Sequence, residues 1–157
     1  MSKLAYKRIL IKMSGEMFQQ AGHANGISFP AVESIARELV SLHKTGAQIA
    51  VVVGGGNMFR GREVRNRAVG RVVADTLGML GTVMNGIALH AVLMRNGVDA
   101  IVYSALSVEG VVDTYRLEDA ARAMRAGTIV ILAGGTGSPY FSTDTAVVLR
   151  GLELTAD

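Results

Sequence analysis

The chain has 157 residues, a formal net charge of +3, 50% apolar and 18% charged residues, 19 glycines, two prolines and no cysteine. That length suits one well-buried domain spanning 1–157, and the composition excludes disorder, a disulfide framework and a thiolate metal site. Three scattered histidines argue against zinc as well.

The amino terminus, Met1 to Arg8, lacks the apolar run of a secretion signal, and no later apolar run is expected to reach membrane-spanning length. A soluble cytoplasmic protein without a membrane partner is the expectation. The basic residues form one cluster, Arg60, Arg62, Arg65, Arg67 and Arg71, just after a triple glycine. Few aromatics lie near it, so it suits a small phosphorylated ligand rather than nucleic acid.

Arg8 to Met13 is predicted as the first strand, with Lys12 near its carboxyl end just before Ser14, Gly15 and Glu16. A lysine there either projects as a point charge toward a phosphate or snorkels past the strand end. Gln19 to Gly26 is polar and glycine-bearing and reads as a loop. Ser28 reads as the N-cap of a helix carrying Val32, Ile35, Ala36, Leu39 and Leu42 and ended by Gly46.

Gln48 to Val53 is a continuous apolar run, as in a parallel strand covered on both faces, and Gly54, Gly55, Gly56 and Asn57 follow directly. Three glycines allow backbone N–H groups to converge on an oxyanion that side chains would obstruct. With Arg60 close behind, phosphate binding is favoured over a plain flexible turn. A long helix is predicted from about Arg67 to Asn96, with Val69, Val72, Val73, Leu77, Leu80, Met84, Ile87 and Val92 on one broad face. Its other face is poor in charge too, so cover by a second subunit and packing within the chain both explain it. Asp75 either accepts bonds from ligand hydroxyls or pairs with a nearby arginine.

Asp99 to Tyr103 is predicted as a strand, Arg116 to Ala126 as a helix ended by Gly127, and Thr128 to Ala133 as the closing strand; Ser104 to Tyr115 is mixed and receives no chemistry. Gly134 to Asp144 then supplies glycines, hydroxyls and one carboxylate at the carboxyl end of that strand, where α/β proteins bind ligands. A short helix follows over Thr145 to Arg150. Asp144 is either a magnesium organiser beside phosphates or the N-cap of that helix. Strands alternating with helices predict an α/β fold, a mostly parallel sheet with helices on both faces.

Tyr6 to Glu16, then Gly54 to Gly61, then Asp75 with Gly78 to Leu80 and Met84 to Gly86, then Gly135 to Asp144 closely resemble, in order, the bacterial UMP kinases, a family of amino-acid-kinase fold. Single blocks occur in relatives such as acetylglutamate, carbamate and aspartate kinases; the Phe59-Arg60-Gly61 extension and the block Thr136 to Asp144 point to UMP kinase. The resemblance implies transfer of the ATP γ-phosphoryl group to UMP, giving UDP for pyrimidine nucleotide synthesis. It further implies a cytoplasmic hexamer, activated by GTP and inhibited by UTP.

By that resemblance, Lys12, Ser14 and Gly15 serve the ATP phosphates, with Lys12 stabilising the group in flight. Gly55 and Arg60 hold the UMP phosphate near the ATP γ-phosphate, Gly56 faces the ATP side, and Asp75 receives UMP hydroxyls. Thr136, Gly137, Ser138, Pro139, Tyr140, Phe141, Ser142 and Thr143 enclose the uridine. Asp144 arranges Lys12 and Mg2+, the ion through water. The sequence departs from the family in two places. Ser138 stands where the family more usually has Asn, so base selectivity rests more on Thr136, Thr143 and backbone groups. The family also continues past the position of Asp157 into the adenine and ribose pocket, so the expectation is an acceptor-side part, incomplete at its carboxyl end, with an exposed sheet edge.

Overall fold

A computed structural model describes residues 5–19, 26–59 and 70–157. Arg60, Arg62, Arg65, Arg67 and Val69, and most of the loop expected between Gln19 and Gly26, lie outside the described residues. The elements run β1 (Arg8–Met13), a 3-10 turn (Gly15–Phe18), α1 (Phe29–His43), β2 (Gln48–Val53), α2 (Arg71–Arg95), β3 (Ala100–Ser104), β4 (Asp113–Thr114), α3 (Leu117–Arg125), β5 (Ile129–Ala133) and α4 (Thr143–Leu154).

The strands form one parallel sheet in the order β1-β2-β5-β3-β4. Side chains alternate across it. Ile49, Val51, Val53, Ile129 and Ile131 join α1 and α2 in a core on one face. Ala50, Val52, Val130 and Leu132 join α3 and α4 in a core on the other. Strands covered on both faces must be apolar throughout, which is why β2 and β5 read as uninterrupted runs. The expected α/β architecture with helices on both faces is what the chain adopts.

Ser28 takes the N-cap position of α1 without a side-chain cap bond. The cap of α4 is Ser142, whose hydroxyl accepts from the Thr145 N–H (3.2 Å); Asp144 sits inside the first turn, so the cap reading of Asp144 is corrected. The mixed segment between β3 and α3 contains β4, two residues at the sheet edge with no apolar run to announce them.

The long helix differs most from expectation. Its inward face is made of Ala74, Gly81, Thr82, Val83, Asn85, Gly86, Ala88, Leu89, Val92 and Leu93. Among the described residues of the face drawn from the sequence only Val92 is buried; Val72, Val73, Leu77, Leu80, Met84 and Ile87 are exposed. Small residues explain the inversion. A Cβ on Gly86 would meet Val102 at 3.2 Å and Ile131 at 3.4 Å, so the small-residue side lies close on the sheet while the larger side chains point away. α2 is also long and apolar enough to cross a membrane by length and composition, contrary to the expectation that no run reaches that length. Half of its most apolar stretch is buried inside the fold.

On the other face, α4 is anchored by a compact polar cluster. Arg150, almost fully buried, lies over the Tyr115 ring at 4.0 Å and pairs with Glu153 at 2.7 Å, while the Tyr115 hydroxyl donates to Glu153 Oε2 at 2.9 Å. Burial, and then that bond to Glu153, push the Tyr115 phenol up to about 12. The anchor matters because α4 begins at the site described next.

β1 is one edge of the sheet. Asp157 covers part of it: its N–H donates to the Arg8 carbonyl (3.0 Å) and its carboxylate accepts from the Lys7 (2.5 Å) and Arg8 (2.8 Å) N–H groups. The Arg8 and Lys7 amides hold that carboxyl below the usual carboxylate range.

Candidate active site

The carboxyl ends of β1, β2 and β5 open at one edge of the sheet, and glycine turns bring their loops into contact. The Gly54 N–H donates to the Met13 carbonyl at 2.8 Å, tying the end of β2 to that of β1. A Cβ on Gly15 would lie 2.4 Å from the Gly56 nitrogen, and one on Gly55 would lie 2.3 Å from the Gly78 carbonyl oxygen of α2. These glycines are fixed by close backbone approach, since neither has a positive φ. The turn after β5 is different: Gly134, Gly135 and Gly137 have φ of 76°, 58° and 81°, which L side chains rarely adopt.

Between the turns and α2 lies a cavity of about 300 Å³, lined by Gly55, Gly56, Phe59, Ala74, Asp75, Gly78, Met79, Thr82, Gly135, Thr136, Phe141, Ser142 and Thr143. The resemblance implies Gly55, Asp75, Thr136, Phe141, Ser142 and Thr143 at an acceptor site and Gly56 on its ATP side. All seven line this one cavity. Gly137, Ser138, Pro139 and Tyr140 belong to the same loop without lining the cavity; Ser138 is exposed, and its N–H donates to the Thr136 hydroxyl at 3.2 Å. Phe59, Ala74, Gly78, Met79 and Thr82 also line it and received no role from the sequence.

Of the two readings of Asp75, the arginine pair is the one observed, and the residue lies at the cavity as well. It borders the cavity, pairs with Arg71 at 2.7 Å and accepts the Tyr140 N–H at 2.8 Å. Tyr140 has φ of 72°, a left-handed conformation that costs a non-glycine residue about 1–2 kcal/mol. Its bond to Asp75, and Arg71 stacked over its ring at 5.4 Å, offset that cost and fasten the loop over the cavity to α2.

Beside the cavity stands the charged pair Lys12–Asp144, 3.2 Å apart, with 39% and 77% of their side chains exposed. Lys12 is the last residue but one of β1, and Asp144 follows Thr143 in the first turn of α4. The two come from opposite ends of the sequence and meet at the same sheet edge. Exposure makes the pair worth under about 1 kcal/mol to stability, so its use is local charge. Ser14 and Gly15 continue from Lys12 along the turn that touches Gly56. Arg60, the remaining predicted phosphate ligand, lies outside the described residues.

Among the described residues no three carboxylates or histidines come together as a metal cage. A single carboxylate already beside a lysine suits a magnesium ion that arrives on nucleotide phosphates and keeps most of its water.

A glycine-bound cavity with an ammonium, a carboxylate and backbone amides at its rim is equipped to hold two anions and steady charge passing between them. The profile of the amino acid kinase family matches residues 7–157. The chain belongs to that family. Among its similar relatives, this amino acid kinase family member is 47% identical over 156 residues to a uridylate kinase of Bradyrhizobium sp. (strain ORS 278), covering 99% of this chain and 65% of that protein. It is 47% identical over 155 residues to a uridylate kinase of Vibrio vulnificus (strain YJ016), covering 99% and 64%. A solved UMP kinase from Bacillus anthracis superposes with a TM-score of 0.91 at 36% identity over 97% of this chain and 62% of that one. Another, from Ureaplasma parvum, gives 0.88 at 31% identity, covering 95% and 65%. The chain therefore spans just under two thirds of the length of the relatives it matches.

Proposed function

We propose that residues 1–157 are the acceptor-binding domain of an ATP-dependent UMP kinase, in which the γ-phosphoryl group of ATP passes to the phosphate of UMP to give UDP. The observation that carries this reading is the cavity walled by Gly55, Asp75, Thr136 and Thr143 with the Lys12–Asp144 pair at its rim. Relatives named uridylate kinase and UMP kinase support the choice of acceptor.

In this reading the Gly55 turn and Arg60 receive the UMP phosphate, Asp75 and the loop from Thr136 to Thr143 receive the nucleoside, and Lys12, Ser14, Gly15 and Gly56 face the ATP phosphates. The acceptor is itself a phosphate and carries its own negative oxygen, so no protein base is required; the work is placement and charge. Lys12 meets the oxygens of the group in transit, and Asp144 orients Lys12. Magnesium bound with ATP would neutralise phosphate charge there, with Asp144 reaching it through water. The setting is the cytoplasm and pyrimidine nucleotide synthesis, with GTP as activator and UTP as inhibitor.

Self-association, as a hexamer, belongs to the same reading. Val73, Leu77, Leu80, Met84 and Ile87 are exposed on α2 and recur at alternating steps of four and three residues, with Met94 a further seven on, the spacing of a helix seam. A second copy of this chain fits such a seam; sedimentation giving only monomer at high concentration would count against it.

A coupled assay of the whole kinase that carries this domain decides the acceptor. UMP is expected to be used in preference to CMP, acetylglutamate and carbamate. Equal use of a carboxylate or carbamate acceptor would reject the reading.

A further inference from the structure

Two polar side chains in the middle of α2 are buried, and each is bonded to a different glycine turn. The Thr82 hydroxyl accepts the Gly134 N–H at 2.6 Å and donates to the Met79 carbonyl at 2.6 Å. Asn85 donates to the Gly54 carbonyl at 2.7 Å and forms a reciprocal amide pair with Asn57, at 2.7 and 3.0 Å. Asn57 also donates to the Gly26 carbonyl at 2.9 Å, and both asparagines are fully buried.

Thr82 and Asn85 are one helical turn apart. β2 pairs with β5 as Ala50 with Val130 and Val52 with Leu132, so continuing that register puts Gly54 opposite Gly134 just past the strand ends. The same turn of α2 therefore grips matching positions on two adjacent strands, one through an N–H and the other through a C=O. Fully bonded buried polar groups of this kind fix geometry, because any displacement strands a donor or acceptor without water. Thr82 lines the cavity, but its hydroxyl is already bonded to the Gly134 N–H and the Met79 carbonyl, so it acts through the turn.

We propose that Thr82 and Asn85 are positioning residues of the acceptor site. They set the distance between the turn that receives the acceptor phosphate and the turn that begins the nucleoside loop. This rests on the acceptor reading above.

The test compares Thr82→Val, which keeps the shape and removes the hydroxyl, with Thr82→Ser, which keeps the hydroxyl, in the full chain. In the unliganded protein, amide exchange in Thr82→Val should quicken at Gly134 to Gly137 and stay unchanged at Leu89 and Leu93. UMP affinity by calorimetry should fall on the order of tenfold, and Thr82→Ser should restore it to within about twofold. Asn85→Asp, which cannot donate to Gly54, should weaken UMP similarly while quickening exchange around Gly54 instead. If Thr82→Val does not fold, Thr82→Ala against Thr82→Ser makes the same comparison. Quickened exchange with unchanged UMP affinity would overturn the proposal and leave the acceptor reading intact. Absence of UMP binding by the unmutated chain would instead bring down the acceptor reading, and this proposal with it.

Discussion

Replacing Lys12 with alanine lowers UDP formation by roughly a hundredfold or more and leaves the UMP dissociation constant within about twofold. The two expectations have separate causes. Lys12 stands outside the cavity lining, beside Asp144 at 3.2 Å, so the acceptor site loses no wall when it is shortened. In the proposed reading its ammonium meets the group in transit, and stabilisation felt only there appears in turnover rather than in ground-state binding. Stability does not confuse the result, because an ion pair this exposed contributes under about 1 kcal/mol. Initial rates with ATP and UMP, set beside calorimetric UMP binding, measure both. Equal losses in rate and affinity would place Lys12 on the acceptor instead.

The second large effect separates two adjacent glycines. In Gly55→Ala the new methyl falls 2.3 Å from the Gly78 carbonyl oxygen and 3.0 Å from the Thr82 nitrogen, both backbone atoms of α2. Neither can swing aside, so α2 must move as a unit at a cost of about 1–3 kcal/mol or more. That movement disturbs the wall formed by Ala74, Asp75 and Gly78, and UMP affinity should fall at least tenfold, on the order of what a misplaced contact costs. A Cβ on Gly56 meets nothing within 4 Å, and its φ is ordinary. Gly56→Ala should therefore melt within about 0.5 kcal/mol of the unmutated chain. If Gly56 faces the ATP phosphates, that variant weakens ATP and spares UMP. Thermal unfolding and nucleotide titrations of the pair supply the check, and wild-type UMP binding by a stably folded Gly55→Ala would contradict the packing argument.

Much of this arrangement is legible in the sequence because buried parallel strands leave a strong mark. β1 and β2 have the bounds expected from the sequence, and β5 starts one residue later than expected. Glycines at the ends of β2 and β5 mark the turns, and the chemistry-bearing residues next to them follow. The face of α2 is not legible in the same way. A helix apolar on both sides gives periodicity no preference, and the deciding quantity is how closely Gly81 and Gly86 let it approach Met58 and the sheet. Thr82 and Asn85 went unread for a related reason: hydroxyl and amide in an apolar helix look neutral until their partners are known. Their signal was position, since both lie among Gly78, Gly81 and Gly86 on the side that turned out to face inward. The cap of α4 shows a local ambiguity of another kind, with Ser142 and Asp144 both suitable and only Ser142 placed ahead of the first turn.

The account depends on the ends of β1, β2 and β5 making one nucleotide site. An amide chemical-shift titration of the chain with UMP tests this directly. The expected changes gather at Gly55, Asp75 and Thr136 to Thr143, and adding ATP with magnesium extends them to Lys12, Ser14, Gly15 and Gly56. Changes confined to another surface, such as the pocket between α2 and β3 lined by Ile87, His90 and Val112, would contradict it.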